Sequence, residues 1–524
     1  MFVTILISNQ YFNRITCRHT YKSVYTPNNN MSEVGRNEVT ISRHAWFTLA
    51  ILSSTLLVVF FSETMLLPAI PEIMKDFGIS YGTAAWIFSA YLIVAAVMTP
   101  IAGKMSDIYG KKIILIALLS MYLIGIVAGA FANNISFLLA SRIIQGLGLA
   151  AVPAAFSLLR DTFPPAKLAI AVGVFGSAYS AGSVVGLLAG ATIIQLLGWH
   201  STFFSIVPFV VVVIILISRF VKENKDESMI HVRTQEGTDK KQVSSSIDLR
   251  GALVLSLTII SFLMALTLIE TGINSTNLPQ IEAAFTISIA SLITFVIVER
   301  RVTSPLVDLR LLKDKILLPS YIIMVATGIT MFMIYPAIVQ LVRSPVPMGF
   351  GGSPVDVANV QLPFMVMFLV FAAITPMIIN RIGKLNPIIL GTVISIAGSI
   401  GLLMFHSTEI AVSTNLAIIA SGLSMTVTSV WNIVVSSSPK LFIGISVGVG
   451  ALLLFLGMAI GPALTGVYLE NKQTIDGISG AYPSPESYSL VYLTSASLSA
   501  ISLIFVFLLK KSTGKMQIET ATTK

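Results

Sequence analysis

A chain of 524 residues with 55% hydrophobic and 11% charged side chains falls far below the quarter or so of charged residues typical of soluble domains. That composition excludes soluble enzymes, coiled coils and disordered proteins. The formal net charge of +9 would suggest nucleic acid in a soluble chain, but in a membrane chain it points to basic loops on one side. The single cysteine, Cys17, excludes a disulfide framework and any cysteine-based metal site.

A hydrocarbon core about 30 Å thick needs about 20 apolar residues per helix, and fourteen such stretches follow one another. The first, 45–67, carries Glu63 and ends at Ala69-Ile70-Pro71. The second, 84–103, carries Tyr91 and leads into a loop with Gly103, Asp107, Gly110 and Lys111. After 113–132, the fourth stretch, 136–158, holds Arg142 and Gln145. The fifth, 168–194, holds Tyr179 and a glycine at every fourth position, Gly182, Gly186 and Gly190. Then come 201–218, 251–269, 283–298, 316–341, 359–379, 387–405, 412–435 with Trp431 and Asn432, 441–469 and 489–509. Their glycines and prolines are tolerated because neighbouring helices re-satisfy freed backbone groups. No strand-like alternation marks a β-barrel. The stretch before residue 45 lacks the apolar core of a signal peptide, and Met31 is an alternative start.

With the N-terminus placed in the cytoplasm and loops assigned alternately, 29 of the 33 Lys and Arg residues fall inside. Lys75, Arg343 and Lys472 fall outside, and Arg142 lies within a span. The positive-inside rule therefore predicts both termini in the cytoplasm and a multi-pass protein of the cell membrane. An internal echo divides the chain. Ile170–Val174 (IAVGV) returns 275 positions later as Ile445–Val449 (ISVGV), and Gly173, Gly182 and Gly186 fall on Gly448, Gly457 and Gly461. Asp107-Ile-Tyr-Gly-Lys111 returns as Asn380-Arg-Ile-Gly-Lys384. Both echoes are eight spans apart, which predicts two parallel six-helix halves with spans 7 and 8 inserted. The predicted organisation is a tail (1–44), a first half (45–220), a loop (221–249), the inserted helices (250–298), a loop (299–315), a second half (316–510) and a tail (511–524).

Glu63 and Arg142 are the only charges this reading places deep in spans, and ionisable groups at that depth mark functional sites by default. Glu63 is read as a proton-accepting and cation-sensing carboxylate, as the neutralising partner of a structural Arg142, or as a group near the outer interface. Arg142 is read as a coupling residue or as that structural partner. The glycine stripe of span 5 reads as a close-packing seam, pliable or static. Tyr91, Gln145, Tyr179, Trp431 and Asn432 are candidates to line a cavity, since aromatic faces attract cations, although such residues also anchor helices at interfaces.

The loop Gly103–Lys112 (GKMSDIYGKK) resembles the signature loop of the major facilitator superfamily, and SRIIQGLGLA in span 4 resembles that superfamily's span-4 motif. Glu63-Thr64 before Ala69-Ile70-Pro71, Gly198-Trp199 with Pro208, and Glu299-Arg300-Arg301 before Pro305–Arg310 resemble the fourteen-span drug–proton antiporter family in particular. Glu63 stands where that family usually has aspartate, Ile108 stands where a basic residue is common, and Gly186-Leu187 replaces its span-5 Gly-Pro. The resemblance implies a major facilitator fold with fourteen transmembrane helices. It also implies alternating access and proton-coupled efflux of amphipathic, cationic compounds. Gly103, Asp107, Gly110 and Lys111 would then gate the cytoplasmic side. A transporter of one dedicated metabolite is the nearer alternative. The expected partners are a small-molecule substrate, protons and the lipid bilayer. No cofactor, metal, nucleic acid or ATP is expected, and the chain is expected to work as a monomer. No G-x-x-x-x-G-K-[ST] run occurs. The five histidines are scattered through the tail and loops, so no catalytic constellation supports an enzyme, while a receptor or sensor with this fold stays open as a remote alternative.

Overall fold

Of the chain, the computed structural model describes residues 42–164, 167–223, 248–270, 277–302, 305–307, 309–438, 443–471, 473–476 and 480–522. The predicted N-terminal tail, with Cys17 and Met31, lies almost wholly outside these residues. So do most of the 221–249 loop and Asp308. Among the described residues, fourteen helices are long and apolar enough to cross a membrane.

Span 1 begins at α1 (Arg43–Met65), where the Ser42 hydroxyl accepts from the Ala45 amide. It extends past the expected end at residue 67. A 3-10 turn at Leu67–Ala69 joins it to α2 (Ile70–Phe77), because Pro68 and Pro71 each lack an amide donor and break the ladder. Span 2 is α3 (Tyr81–Tyr109). It absorbs most of the predicted loop: Gly103 and Asp107 are helical, and the turn is confined to Gly110 at φ +102°, a conformation suited to glycine. Span 3 is α4 (Lys111–Ala130) and span 4 is α5 (Ile135–Leu149) followed, across a break at Ala150 and Ala151, by α6 (Val152–Thr162). Spans 5 to 8 are α7 (Leu168–Leu197), α8 (His200–Phe220), α9 (Leu249–Glu270) and α10 (Leu278–Arg301). Spans 9 to 14 are α11 (Leu317–Arg343), α12 (Pro354–Ile382), α13 (Asn386–Met404), α14 (Glu409–Ser437), α15 (Ile443–Asn471) and α16 (Pro485–Thr522). An unexpected antiparallel pair, β1 (Gln473–Asp476) and β2 (Gly480–Pro483), links the last two.

The packing repeats with the eight-span offset of the sequence echo. Helix α1 packs on α7 as α11 packs on α15, and α4 packs on α5 as α13 packs on α14. Between the halves, α3 meets α15 and α12 meets α7, which are equivalent seams exchanged by the repeat. Both intra-half seams rest on glycine. A Cβ at Gly182, Gly186 or Gly190 would lie 2.3–2.4 Å from the Leu57, Phe61 and Met65 carbonyl oxygens. One at Gly457 would lie 2.3 Å from Val325 O. Without side chains there, backbones approach and van der Waals contact replaces the missing hydrophobic drive between helices in lipid. The Thr64 hydroxyl adds a bond to Ser183 O at 3.0 Å across the first seam. The inserted pair is tied by hydroxyls: Thr258 Oγ1 donates to Ser291 Oγ and Ser288 Oγ donates to Thr258 O, both at 3.0 Å. This hairpin leans on α3 and α15, where Trp86 Nε1 donates to Thr267 Oγ1 at 2.8 Å.

Candidate functional site

Glu63 lies in the last turn of α1, just before the proline break, and is 2% exposed. Neither carboxyl oxygen has a hydrogen-bond partner among the described residues. Arg142 is fully buried, so the two intramembrane charges of the sequence do lie deep in the protein. They interact through space but form no ion pair within 4 Å among the described residues, so mutual neutralisation by contact does not describe this conformation.

Arg142 is instead held by neutral groups. Its Nε donates to Ile87 O at 3.0 Å and its Nη1 to Gln145 Oε1 at 2.8 Å, while Gln145 Nε2 donates to Gly125 O at 3.0 Å. The guanidinium carbon stands 4.5 Å from the Tyr91 ring centroid, a cation–π distance. The span-4 motif permits this. A Cβ at Gly146 would lie 2.5 Å from Tyr91 O and one at Gly148 would lie 2.5 Å from the Tyr122 ring, so only glycine lets α5 sink between α3 and α4.

Aromatic rings from both halves form a chain that begins at Phe60, one helical turn before the acid. Phe60 of α1 meets Tyr179 of α7 edge-on at 4.1 Å, and Tyr179 meets Phe368 of α12 at 5.9 Å. Phe368 stacks on Phe364, which packs edge-on against Tyr335 of α11 at 5.1 Å. The field of Glu63 reaches Tyr91, Tyr179 and Tyr335. Tyr179 also donates to Met331 Sδ across the halves at 3.8 Å.

Of the sequence candidates, the structure gathers Glu63, Arg142, Tyr91, Gln145 and Tyr179 here. It leaves Trp431 and Asn432 aside. The Trp431 ring fills the space over Gly450 of α15, and Asn432 is exposed, its amide donating back to Thr428 O. Phe60, Tyr335, Phe364, Phe368 and Gln361 were missed. The last three repeat at i, i+3 and i+7 on one face of α12, the only sequence signal for them.

The residues expected to form a gate sit at the end of the protein that carries the Gly110 turn. Lys111 Nζ pairs with Asp161 of α6, inside its own half. Glu223, unremarked in the sequence, accepts from the Lys111 and Lys112 amides at 2.7 and 3.2 Å, placing a negative charge at the positive end of α4. The side chain of Asp107 lies outside the described residues.

The opposite end is clasped across the halves. Arg343 of α11 pairs with Glu72 of α2, and Glu470 of α15 accepts from the Tyr81 amide at the start of α3 at 2.6 Å. Ser89 Oγ donates to Ala459 O at 2.8 Å.

Residues 52–362, more than half of the chain, match the sequence profile of the Major Facilitator Superfamily. Multidrug resistance protein 3 of Bacillus subtilis is 29% identical over 308 residues, 58% of this chain and 56% of that one. The tetracenomycin C resistance and export protein of Streptomyces glaucescens is 25% identical over 433 residues, 82% of this chain and 76% of that one. Among solved structures, the human organic anion transporter MFSD10 superposes with a TM-score of 0.60 at 15% identity, covering 89% of this chain and 99% of that one. That likeness bears on the fold alone.

Proposed function

The chain belongs to the Major Facilitator Superfamily, and from that premise we propose that it exports amphipathic, cationic compounds in exchange for protons by alternating access. The observation that carries this reading is the buried carboxyl of Glu63, without a hydrogen-bond partner among the described residues, one helical turn beyond Phe60 in an aromatic chain drawn from both halves. A lone carboxylate at that depth is costly. A proton or an organic cation removes the cost, and with one such acid the two compete for a single site. Electroneutral exchange of one proton for one monovalent cation is the simplest stoichiometry. The names of the relatives, which speak of multidrug resistance and export, support the same class.

The distribution of basic residues supports placing both termini in the cytoplasm. The Glu72–Arg343 clasp then faces outward, and Gly103, Asp107, Gly110 and Lys111 face the cytoplasm, where they act as the inner gate. In this assignment the conformation is closed on the outside. Replacing Arg343 by Ala is expected to remove about 1 kcal/mol of that closure, roughly fivefold in population. In a Cys17→Ser, Ser89→Cys background, an impermeant maleimide added outside should then label position 89 about fivefold faster. Unchanged labelling would detach the clasp from gating.

The function itself is tested in proteoliposomes with an imposed pH gradient. Cationic dyes and quaternary amines should be driven against the proton flow, and collapse of the gradient should stop them. Transport indifferent to the gradient would overturn proton coupling. A second reading follows from Arg142, whose Nη2 has no partner among the described residues and would suit an anionic metabolite. An anionic dye in the same panel separates the two.

A further inference from the structure

In the second half lies a buried polar atom that the exchange mechanism does not use. Gln361 of α12 is 1% exposed. Its Nε2 donates to Tyr335 O at 2.9 Å. That bond fixes which way the amide points, because a carbonyl oxygen can only accept. The consequence is that Oε1 is left with no donor among the described residues. A buried acceptor left in this way is an exception among native polar groups.

Its position says what could fill it. Phe364 and Phe368, three and seven residues on, share its face of α12; Phe364 packs on Tyr335 within the second half, and Phe368 meets Tyr179 of the first. Glu63 stands three residues beyond Phe60, which meets Tyr179 from the first half. The cluster thus presents an acid from one half and a neutral acceptor from the other. A carboxylate draws in any cation, whatever its substituents. An amide oxygen is more selective, because it gains only when the ligand brings an N–H or O–H. A site with such an acceptor discriminates against analogues that lack the donor, since they leave its polar atom unpaired.

Resting on the reading of this cluster as a cation site, we propose that Gln361 is a specificity-determining residue. Its Oε1 accepts a hydrogen bond from the ammonium N–H of the substrate, so protonated amines are taken in preference to quaternary ammonium compounds. The Nε2–Tyr335 bond is what aims the acceptor, which makes Tyr335 a positioning residue through its backbone.

The test is equilibrium binding to the purified full chain of a matched pair, radiolabelled benzyldibutylamine at a pH where it is protonated and benzyldibutylmethylammonium. The wild type should bind the tertiary amine about tenfold more tightly, the usual worth of a charge-assisted hydrogen bond. Gln361→Met, similar in volume but without the acceptor, should bring the ratio to about one and leave the quaternary Kd unchanged. A ratio of one in the wild type would overturn the proposal, and so would equal weakening of both ligands in Gln361→Met, which is what a purely structural strut predicts. If neither cation binds and gradient-driven cation transport also fails, the cation-site reading falls with it. If cations are transported but the ratio is one, only the role of Gln361 falls.

Discussion

Glu63→Gln is expected to abolish gradient-driven efflux while leaving expression and folding intact. The amide has the volume of the carboxyl, and no hydrogen bond or ion pair to the carboxyl is broken, because none exists among the described residues. What disappears is the site's ability to exchange charge. Without a titrating group no proton can be exchanged for the cation, so driven flux should fall to the level of protein-free liposomes. Residual binding of cations to the aromatic rings is compatible with this; residual proton-driven transport is not. Near-normal efflux against a pH gradient would remove Glu63 from the mechanism. Glu63→Asp should retain coupling, since the group that titrates survives.

The second large effect is steric. Gly186→Ala is expected to lower stability by about 1–3 kcal/mol, the range of overpacking in a well-filled interior. The added methyl would stand 2.3 Å from Phe61 O and 2.5 Å from Thr64 Oγ1, so α1 and α7 must separate. Gly461→Ala, its counterpart on α15, meets Met333 N at 2.7 Å and should behave alike. Gly173→Ala on the same helix as Gly186 has nothing within 4 Å and should be neutral or gain about 0.5–1 kcal/mol from helix propensity. Thermal unfolding of the purified variants in one detergent checks the contrast. Equal melting temperatures for Gly186→Ala and Gly173→Ala would mean that the seam yields.

The spans were legible because lipid demands length and apolarity, and those are visible residue by residue. Breaks inside spans were harder. Pro68 and Pro71 looked like the end of span 1, yet the chain carries on as α2, and Ala150 and Ala151 gave no sign of the interruption in span 4. Two of the three echoed glycine pairs mark the seams: Gly182 and Gly186 on one side, and Gly457 and Gly461 on the other, press on a neighbouring backbone, whereas Gly173 and Gly448 touch nothing within 4 Å. At the candidate site, Glu63 and Arg142 stood out because charge is rare at that depth. Phe60, Tyr335, Phe364 and Phe368 did not. In a soluble helix the polar face betrays the buried one, but a span is apolar all round, so which ring faces a cavity depends on contacts between helices far apart in the chain. Glu223 was hidden differently, as one acid among many in a basic loop.

The bond from Ser89 to Ala459 joins residues 370 positions apart, and that separation is also a waiting time. At about 5–20 residues per second of synthesis, α3 stands in the membrane for roughly 20–75 s before its partner α15 has been made. Through that interval the close-packed face of α3 is a transient surface, open to lipid, to the newly made α9–α10 hairpin or to the insertion machinery. Substitutions along the α3–α15 seam should therefore show first as lost yield, before any change in transport by the molecules that mature.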